Sequence, residues 1–173
     1  MNTVVRKARA GDELRMAEIQ VNAWQRAYAG IMSPELLESL DIHQKSAMWQ
    51  NALEQSGPGR YLVAEVDGTV EGFAVFGPAR DNDLGDSNAA EIVSININPA
   101  LWRVGIGSAL IHSIIDCCDA EKFEGVHLWV ATENTRARRF YERHGFSSEN
   151  RIKVDPGHDL VEEMRYASVR FCN

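Results

Sequence analysis

Apolar residues recur along this chain in two rhythms, a three-and-four spacing and a strict alternation, and the two rhythms take turns. Thr3–Lys7 is short and strand-like. From Asp12, a residue type that caps helices, to about Tyr28, the residues Leu14, Ala17, Val21, Trp24 and Tyr28 fall on one helical stripe. Ser33-Pro34-Glu35 opens a second, short helix, with serine as cap and proline at the first helical position. A third helix starts after Asp41 and carries Ala47, Met48 and Leu53, until Gly57-Pro58-Gly59 breaks the pattern. Alternation then takes over. Arg60–Val66 and Val70–Gly77 flank Asp67-Gly68, a strong short-range hairpin signal. Residues 78–88, rich in Asp, Asn and Gly, predict an exposed loop. Glu91–Asn98 alternates and stops at Pro99, and Gly105–Lys122 returns to helical spacing. Val126–Val130 is a buried-type strand, Asn134–His144 a helix closed by Gly145, and Leu160–Val169 a last strand.

The order β-α-α-α-β-β-β-α-β-α-β predicts an α/β fold in which helices cover both faces of one mixed sheet. The helix between Glu91–Asn98 and Val126–Val130 makes a βαβ unit, so those two strands should run parallel. Ligands of such sheets sit at the strands' carboxyl ends. A length of 173 residues is that of one domain, spanning 1–173.

Composition narrows the class. At 45% hydrophobic and 25% charged residues the chain is neither collagen-like nor disordered. No apolar run approaches the ~18 residues of a membrane span, and the opening residues lack an apolar signal-peptide core. A cytoplasmic protein with no membrane partner is expected. The net charge of −7 argues against nucleic acid, whose backbone needs a basic face. The three cysteines, Cys117, Cys118 and Cys172, have neither zinc-site nor redox-pair spacing, and the five histidines show no ligand spacing. Reduced, structural thiols and no metal are expected.

The chemistry concentrates where Glu91–Asn98 ends. Asn98-Pro99-Ala100-Leu101-Trp102-Arg103-Val104-Gly105-Ile106-Gly107-Ser108 leads straight into a helix. Two glycines there can leave successive N–H groups facing a concavity, and the helix start adds unpaired donors and a positive dipole end. Together these make a phosphate site; the same glycines also serve a tight strand-to-helix turn. A nucleoside-triphosphate loop is excluded because no Lys follows Gly107, and a dinucleotide fingerprint because Leu110 stands at its third glycine.

This segment, with Ala109-Leu110, resembles the acetyl-CoA motif of the GCN5-related N-acetyltransferase (GNAT) superfamily. Asn134-Thr135-Arg136-Ala137-Arg138-Arg139-Phe140-Tyr141-Glu142-Arg143-His144-Gly145-Phe146 is similar to a second block of that family. Trp102 stands where the family carries Gln or Arg, with Arg103 one place later.

The resemblance implies a single-domain GNAT-like sheet whose fourth and fifth strands are parallel and splayed. It implies acetyl-CoA as co-substrate and direct acetyl transfer to a primary amine of a small molecule, peptide or protein, without an acyl-enzyme. By position, the pyrophosphate falls to Arg103, Val104, Gly105, Ile106, Gly107 and Ser108. The pantetheine arm falls to the backbone of Ile95, Asn96 and Ile97, and an amide near Ile97 serves the oxyanion. Tyr141 matches the family tyrosine that protonates the departing thiolate; read on its own it is equally an aromatic core residue. Asn134 caps its helix and in the family also touches CoA. Glu91-Ile92-Val93 resembles the Glu-Ile-Val of the histone-acetyltransferase branch, where the Glu is the base; alone, Glu91 reads as solvated at a strand's start. Arg136, Arg138 and Arg139 are candidates for the adenosine 3′-phosphate or for a solvated helix face. The acceptor wall is expected from the first two helices and the 78–88 loop. Its candidates are Trp24 and Tyr28, which read equally as core aromatics, with Glu35, Asp81, Asp83 and Asp86 as attractors of an ammonium group. Homodimers are common in the family. A non-catalytic acyl-CoA-binding sensor and a generic phosphate-binding module are the alternatives.

Overall fold

The computed structural model describes residues 2–84, 87–157 and 159–169. Asp86 and Cys172, named above, lie outside the described residues. The elements are β1 (Thr3–Lys7), α1 (Glu13–Ala27), α2 (Pro34–Glu38), α3 (Ile42–Glu54), β2 (Arg60–Val66), β3 (Thr69–Pro78), β4 (Ala89–Ile97), α4 (Ile106–Ala120), β5 (Gly125–Ala131), α5 (Thr135–Arg143), β6 (Ser147–Asp155) and β7 (Val161–Val169). The strands form one sheet in the order β1-β2-β3-β4-β5-β7-β6. The pair β4–β5 is parallel and its neighbours are antiparallel, as the βαβ argument requires. Helices cover both faces. Leu62, Ala64 and Phe76 pack with α4 on one side, and Val63, Phe73 and Val75 pack with α1 and α3 on the other. No helix among the described residues is long and apolar enough to cross a membrane.

Several local expectations are corrected. Asp12 stands at the N-cap of α1 but makes no capping bond. Its carboxylate instead accepts from Arg6 at 2.7 and 2.9 Å and from the Arg9 amide at 2.9 Å. A charge-assisted pair is about twice as strong as a neutral bond, so the guanidinium wins over the helix amides. The buried stripe of α1 is rotated: Met16, Ala17, Ile19, Gln20, Val21 and Ala23 face inward while Leu14 is exposed. In α3, Ala47 and Met48 are exposed and Trp49 makes the core contact, edge-on to Phe73 and donating to Gln20 Oε1 at 3.0 Å. The capping residues Ser33 and Asp41 do accept from the amides of Leu36 and Gln44. One strand, β6, has no counterpart in the sequence reading. It is an edge strand with almost every residue exposed, so it carries no apolar alternation to detect.

The irregularity that matters lies in β4. Val75 pairs with Ser94 and Phe76 with Ile92, so Val93 is an extra residue, a bulge. β4 pairs with β5 only from Ala89 to Ile92; β5 continues on its other edge with β7. From Val93 to Ile97 the two parallel strands are therefore splayed.

Candidate active site

The site is built on that splay. Asn98 Nδ2 is fixed by Glu71 Oε2 at 2.7 Å, and its Oδ1 accepts from Ala100 to start a single 3-10 turn over Pro99–Leu101. The chain then swings into α4 through two left-handed residues, Arg103 (φ +70°) and Gly105 (φ +97°). Gly105 is the N-cap of α4, and a side chain there would be strained. Gly107 is constrained differently: a Cβ would lie 2.9 Å from Ile97 Cδ1 and 3.0 Å from the Phe140 ring. The first turn of α4 thus packs directly between β4 and α5. It carries no acidic residue, which leaves its amides and dipole available to an anion.

Trp102 is accommodated rather than excluded. Its indole N–H donates to the Ile97 carbonyl at 2.9 Å, and the Arg136 guanidinium stacks 3.3 Å from its ring centroid. That stack links the loop before α4 to the first turn of α5. Ser108 meets His144: Nε2 lies 2.9 Å from Ser108 Oγ, and Nδ1 lies 2.8 Å from the Phe140 carbonyl. A carbonyl only accepts, so Nδ1 carries a proton, and in the neutral ring Nε2 accepts from the serine hydroxyl.

A cleft of about 830 Å³ follows the splay. Of the cofactor candidates named from the sequence, all but Val104 and Arg138 line it, together with Trp24 and Tyr28. The Asn98 amide donates to Glu71 of β3 at 2.9 Å, so by alternation the N–H and C=O groups of Ile97 and Ile95 point into the gap. The same alternation turns the backbone of Asn96 toward β3, and the residue lines the cleft beside Ser94. Asn96 Nδ2 and Ser94 Oγ are buried without a hydrogen-bond partner. Arg103, Arg139 and Arg143 line the end of the cleft nearest α4, a donor set suited to phosphate groups.

Tyr141 lies in the cleft against Phe140 and Phe146. Burial, with the neighbouring Tyr28 adding to it, pushes its phenol well above the ordinary tyrosine range, so the group stays protonated. Tyr28 is pushed up by burial and then by the charge of Glu163, while a hydrogen bond with Asn134 pulls the other way. Asn134 also caps α5, accepting from Ala137 at 3.1 Å. One side chain therefore both starts the helix that carries Tyr141 and holds Tyr28.

Other candidates lie elsewhere. Glu91 is inside β4, buried, and does not line the cleft. Arg80 grips its carboxylate with Nε at 2.9 Å, Nη2 at 2.7 Å and its own amide at 3.2 Å. The expectation of a solvated strand start is corrected, because β4 begins two residues earlier. Asp81 and Asp83 bind the buried Arg165 at 3.1 and 2.8 Å, and Asp81 also accepts from the Trp129 indole at 2.9 Å. Glu35 is exposed in the first turn of α2. Arg138 is committed to Tyr166 and the Thr132 carbonyl, whereas Arg139 faces the cleft. His127 contacts Glu149 at 3.3 Å. The sequence reading missed Trp129, Ser94 and Glu163, all of which line the cleft. Glu163 was legible only as one of two adjacent glutamates in a strand; its alternation with Val161 and Arg165 was the available signal.

Comparison with known proteins bears on the family and the fold. The sequence profile described as the acetyltransferase (GNAT) family matches residues 16–146. The N-acetyltransferase YuaI of Bacillus subtilis is 28% identical over 130 residues, 75% of this chain and 72% of that one. Spermidine N(1)-acetyltransferase of Thermoplasma acidophilum is 25% identical over 173 residues, 97% of this chain and 100% of that one. Among solved structures, PaiA N-acetyltransferase of Thermoplasma acidophilum in complex with coenzyme A aligns with a TM-score of 0.78 at 22% identity, over 98% of this chain and 100% of that one. YncA of Salmonella typhimurium with its cofactor acetyl-CoA aligns with a TM-score of 0.73 at 22% identity, over 99% and 95%. At these identities the structural likeness is one of fold.

Proposed function

Because the chain belongs to the GNAT family of acetyltransferases, we propose that it moves the acetyl group of acetyl-CoA to a primary amine by direct attack, with both substrates bound in the cleft. The observation that carries this reading is that Tyr141 lines the same cleft as the splayed edge of β4 and the glycine-loop end of α4. When bound, acetyl-CoA supplies an activated thioester. Amides from Gly105 to Ser108 at the start of α4, with Arg103 and Arg139, hold its phosphates. Ile95 and Ile97 offer the pantetheine arm an unpaired strand edge; the Ile97 carbonyl already accepts from Trp102 but keeps a second lone pair. The Ile97 amide steadies the negative charge that develops on the acyl oxygen. Tyr141 gives its proton to sulfur as the C–S bond breaks, and regains one from the nitrogen that has formed the new C–N bond. Glu91 takes no part, since Arg80 holds it outside the cleft. The ammonium proton that must leave before attack passes to water in the cleft.

Support for an amine acceptor comes from the family and from a relative named for spermidine. The test is thiol release from acetyl-CoA with a panel of primary amines, for wild type and Tyr141→Phe. Tyr141→Phe is expected to lower kcat about 10²-fold or more with the KM for acetyl-CoA within twofold. Equal kcat for the two proteins would remove Tyr141 as the acid. Acetyl-CoA binding without thiol release for any amine would favour the sensor reading.

A further inference from the structure

The acceptor side of the cleft contains a carboxylate that the transfer chemistry leaves unused. Glu163 projects from β7 on the sheet face shared by Trp129, Ala131 and Val161, the face that meets Tyr28 and Met32. Its side chain is 16% exposed. The chain itself displays what this corner holds. Lys153 Nζ, reaching in from β6, lies 3.5 Å from Glu163 Oε2 and 4.3 Å from the centroid of the Trp129 ring. An alkylammonium is thus seated between a carboxylate and an indole face, an arrangement that favours a cation on both counts. Lys153 belongs to the edge strand and is 41% exposed, so it can swing out. In the same cleft, Ser94 Oγ is buried without a partner and can accept from an ammonium N–H.

Position fixes which ammonium belongs here. Transfer takes place at the gap between β4 and β5, whereas Glu163 stands on β7, one strand beyond β5, and strands are about 4.8 Å apart. A group held by Glu163 is therefore displaced from the reacting nitrogen by a few bonds. Resting on the transfer reading above, we propose that Glu163 and the face of Trp129 bind a second ammonium group of the acceptor in the place marked by Lys153 Nζ. The acceptor is then an aliphatic diamine or longer polycation, and Lys153 competes with it. The net charge of −7 favours the approach of such a substrate.

The experiment compares 1,5-diaminopentane with n-pentylamine, the same chain without the second charge, at saturating acetyl-CoA. Wild type should show a KM for the diamine at least tenfold below that for the monoamine. Glu163→Gln should raise the diamine KM about tenfold and leave that of the monoamine within twofold. Lys153→Met, which keeps the apolar stem and vacates the place, should lower the diamine KM several-fold. The KM for acetyl-CoA should stay unchanged in both variants. Equal KM values for the two amines in wild type, or a Lys153→Met variant that weakens the diamine as Glu163→Gln does, would overturn the proposal. The thermal shift of the CoA-bound protein with 1,5-diaminopentane separates this proposal from the transfer reading. A shift larger than that with n-pentylamine, lost in Glu163→Gln, supports the second-ammonium site even if no thiol is released. No difference between the amines sinks it even if turnover is present.

Discussion

At the scale of single residues, two acidic side chains are placed otherwise than their sequence contexts imply. Glu91 sits in a segment that resembles a catalytic motif, yet Arg80 holds it through three hydrogen bonds outside the cleft. Glu163 sits in a strand that carries no motif and lines the cleft. The difference is set by β4 starting at Ala89 and by the parity of β7, neither of which a short motif encodes. Glu91→Gln is accordingly expected to change kcat by less than about threefold, because a relay through a carboxylate would contribute about 10²-fold or more. It should cost about 1–3 kcal/mol of stability, since the carboxylate is buried and loses charge-assisted bonds to Arg80. Initial rates and urea unfolding check both numbers; a hundredfold drop in kcat at unchanged fold would return Glu91 to the mechanism.

Among elements, the junction of β4, α4 and α5 decides whether the cleft exists. Gly107 lets α4 approach Ile97 and Phe140 so closely that a methyl group must displace one of them. Gly107→Ala should destabilise the protein by about 1–3 kcal/mol and weaken acetyl-CoA binding by moving the α4 amides; equilibrium unfolding and titration with acetyl-CoA measure the two effects. This junction was legible in the sequence because it is local. The glycines, Pro99, the cap at Asn134 and the stop at Gly145 each dictate backbone within a few residues. The β4–β5 pairing followed as well, from the handedness and length of one βαβ unit. What stayed illegible depends on contacts distant in sequence. Asp12 gives up capping because Arg6 lies opposite it, and the inward face of α1 rotates to meet Phe73 and Trp49. β6 is an edge strand whose exposed residues leave no pattern.

Across the whole molecule, two arginines, half-buried Arg6 and buried Arg165, join elements that the sheet alone leaves apart. Arg6 of β1 ties Asp12 ahead of α1 to Glu65 of β2. Arg165 of β7 gathers Asp81, Asp83 and Glu149 from the β3–β4 loop and β6, fixing the Asp81 that holds the Trp129 indole. Burial pushes the Asp12 carboxyl upward, but its bonds to Arg6 and to the Arg9 amide outweigh this and hold it below the usual carboxylate range. Arg165 does the same for Asp83. A depressed folded pKa contributes stability that is present above the unfolded value and lost as pH falls through the folded one. Unfolding free energy should therefore be nearly flat from pH 7 to 5 on this account and fall below about pH 4, less steeply in Asp12→Asn than in wild type; denaturant melts across that range test it. The central claim, that the splayed cleft binds acetyl-CoA through its pantetheine arm as well as its phosphates, is tested most directly by thermal shift with 1 mM acetyl-CoA against 1 mM ADP. With a Kd on the order of 10 µM, acetyl-CoA should add about 2.7 kcal/mol, a Tm rise of roughly 5–10 °C, and ADP far less. Equal shifts with the two ligands, or none with either, would contradict it.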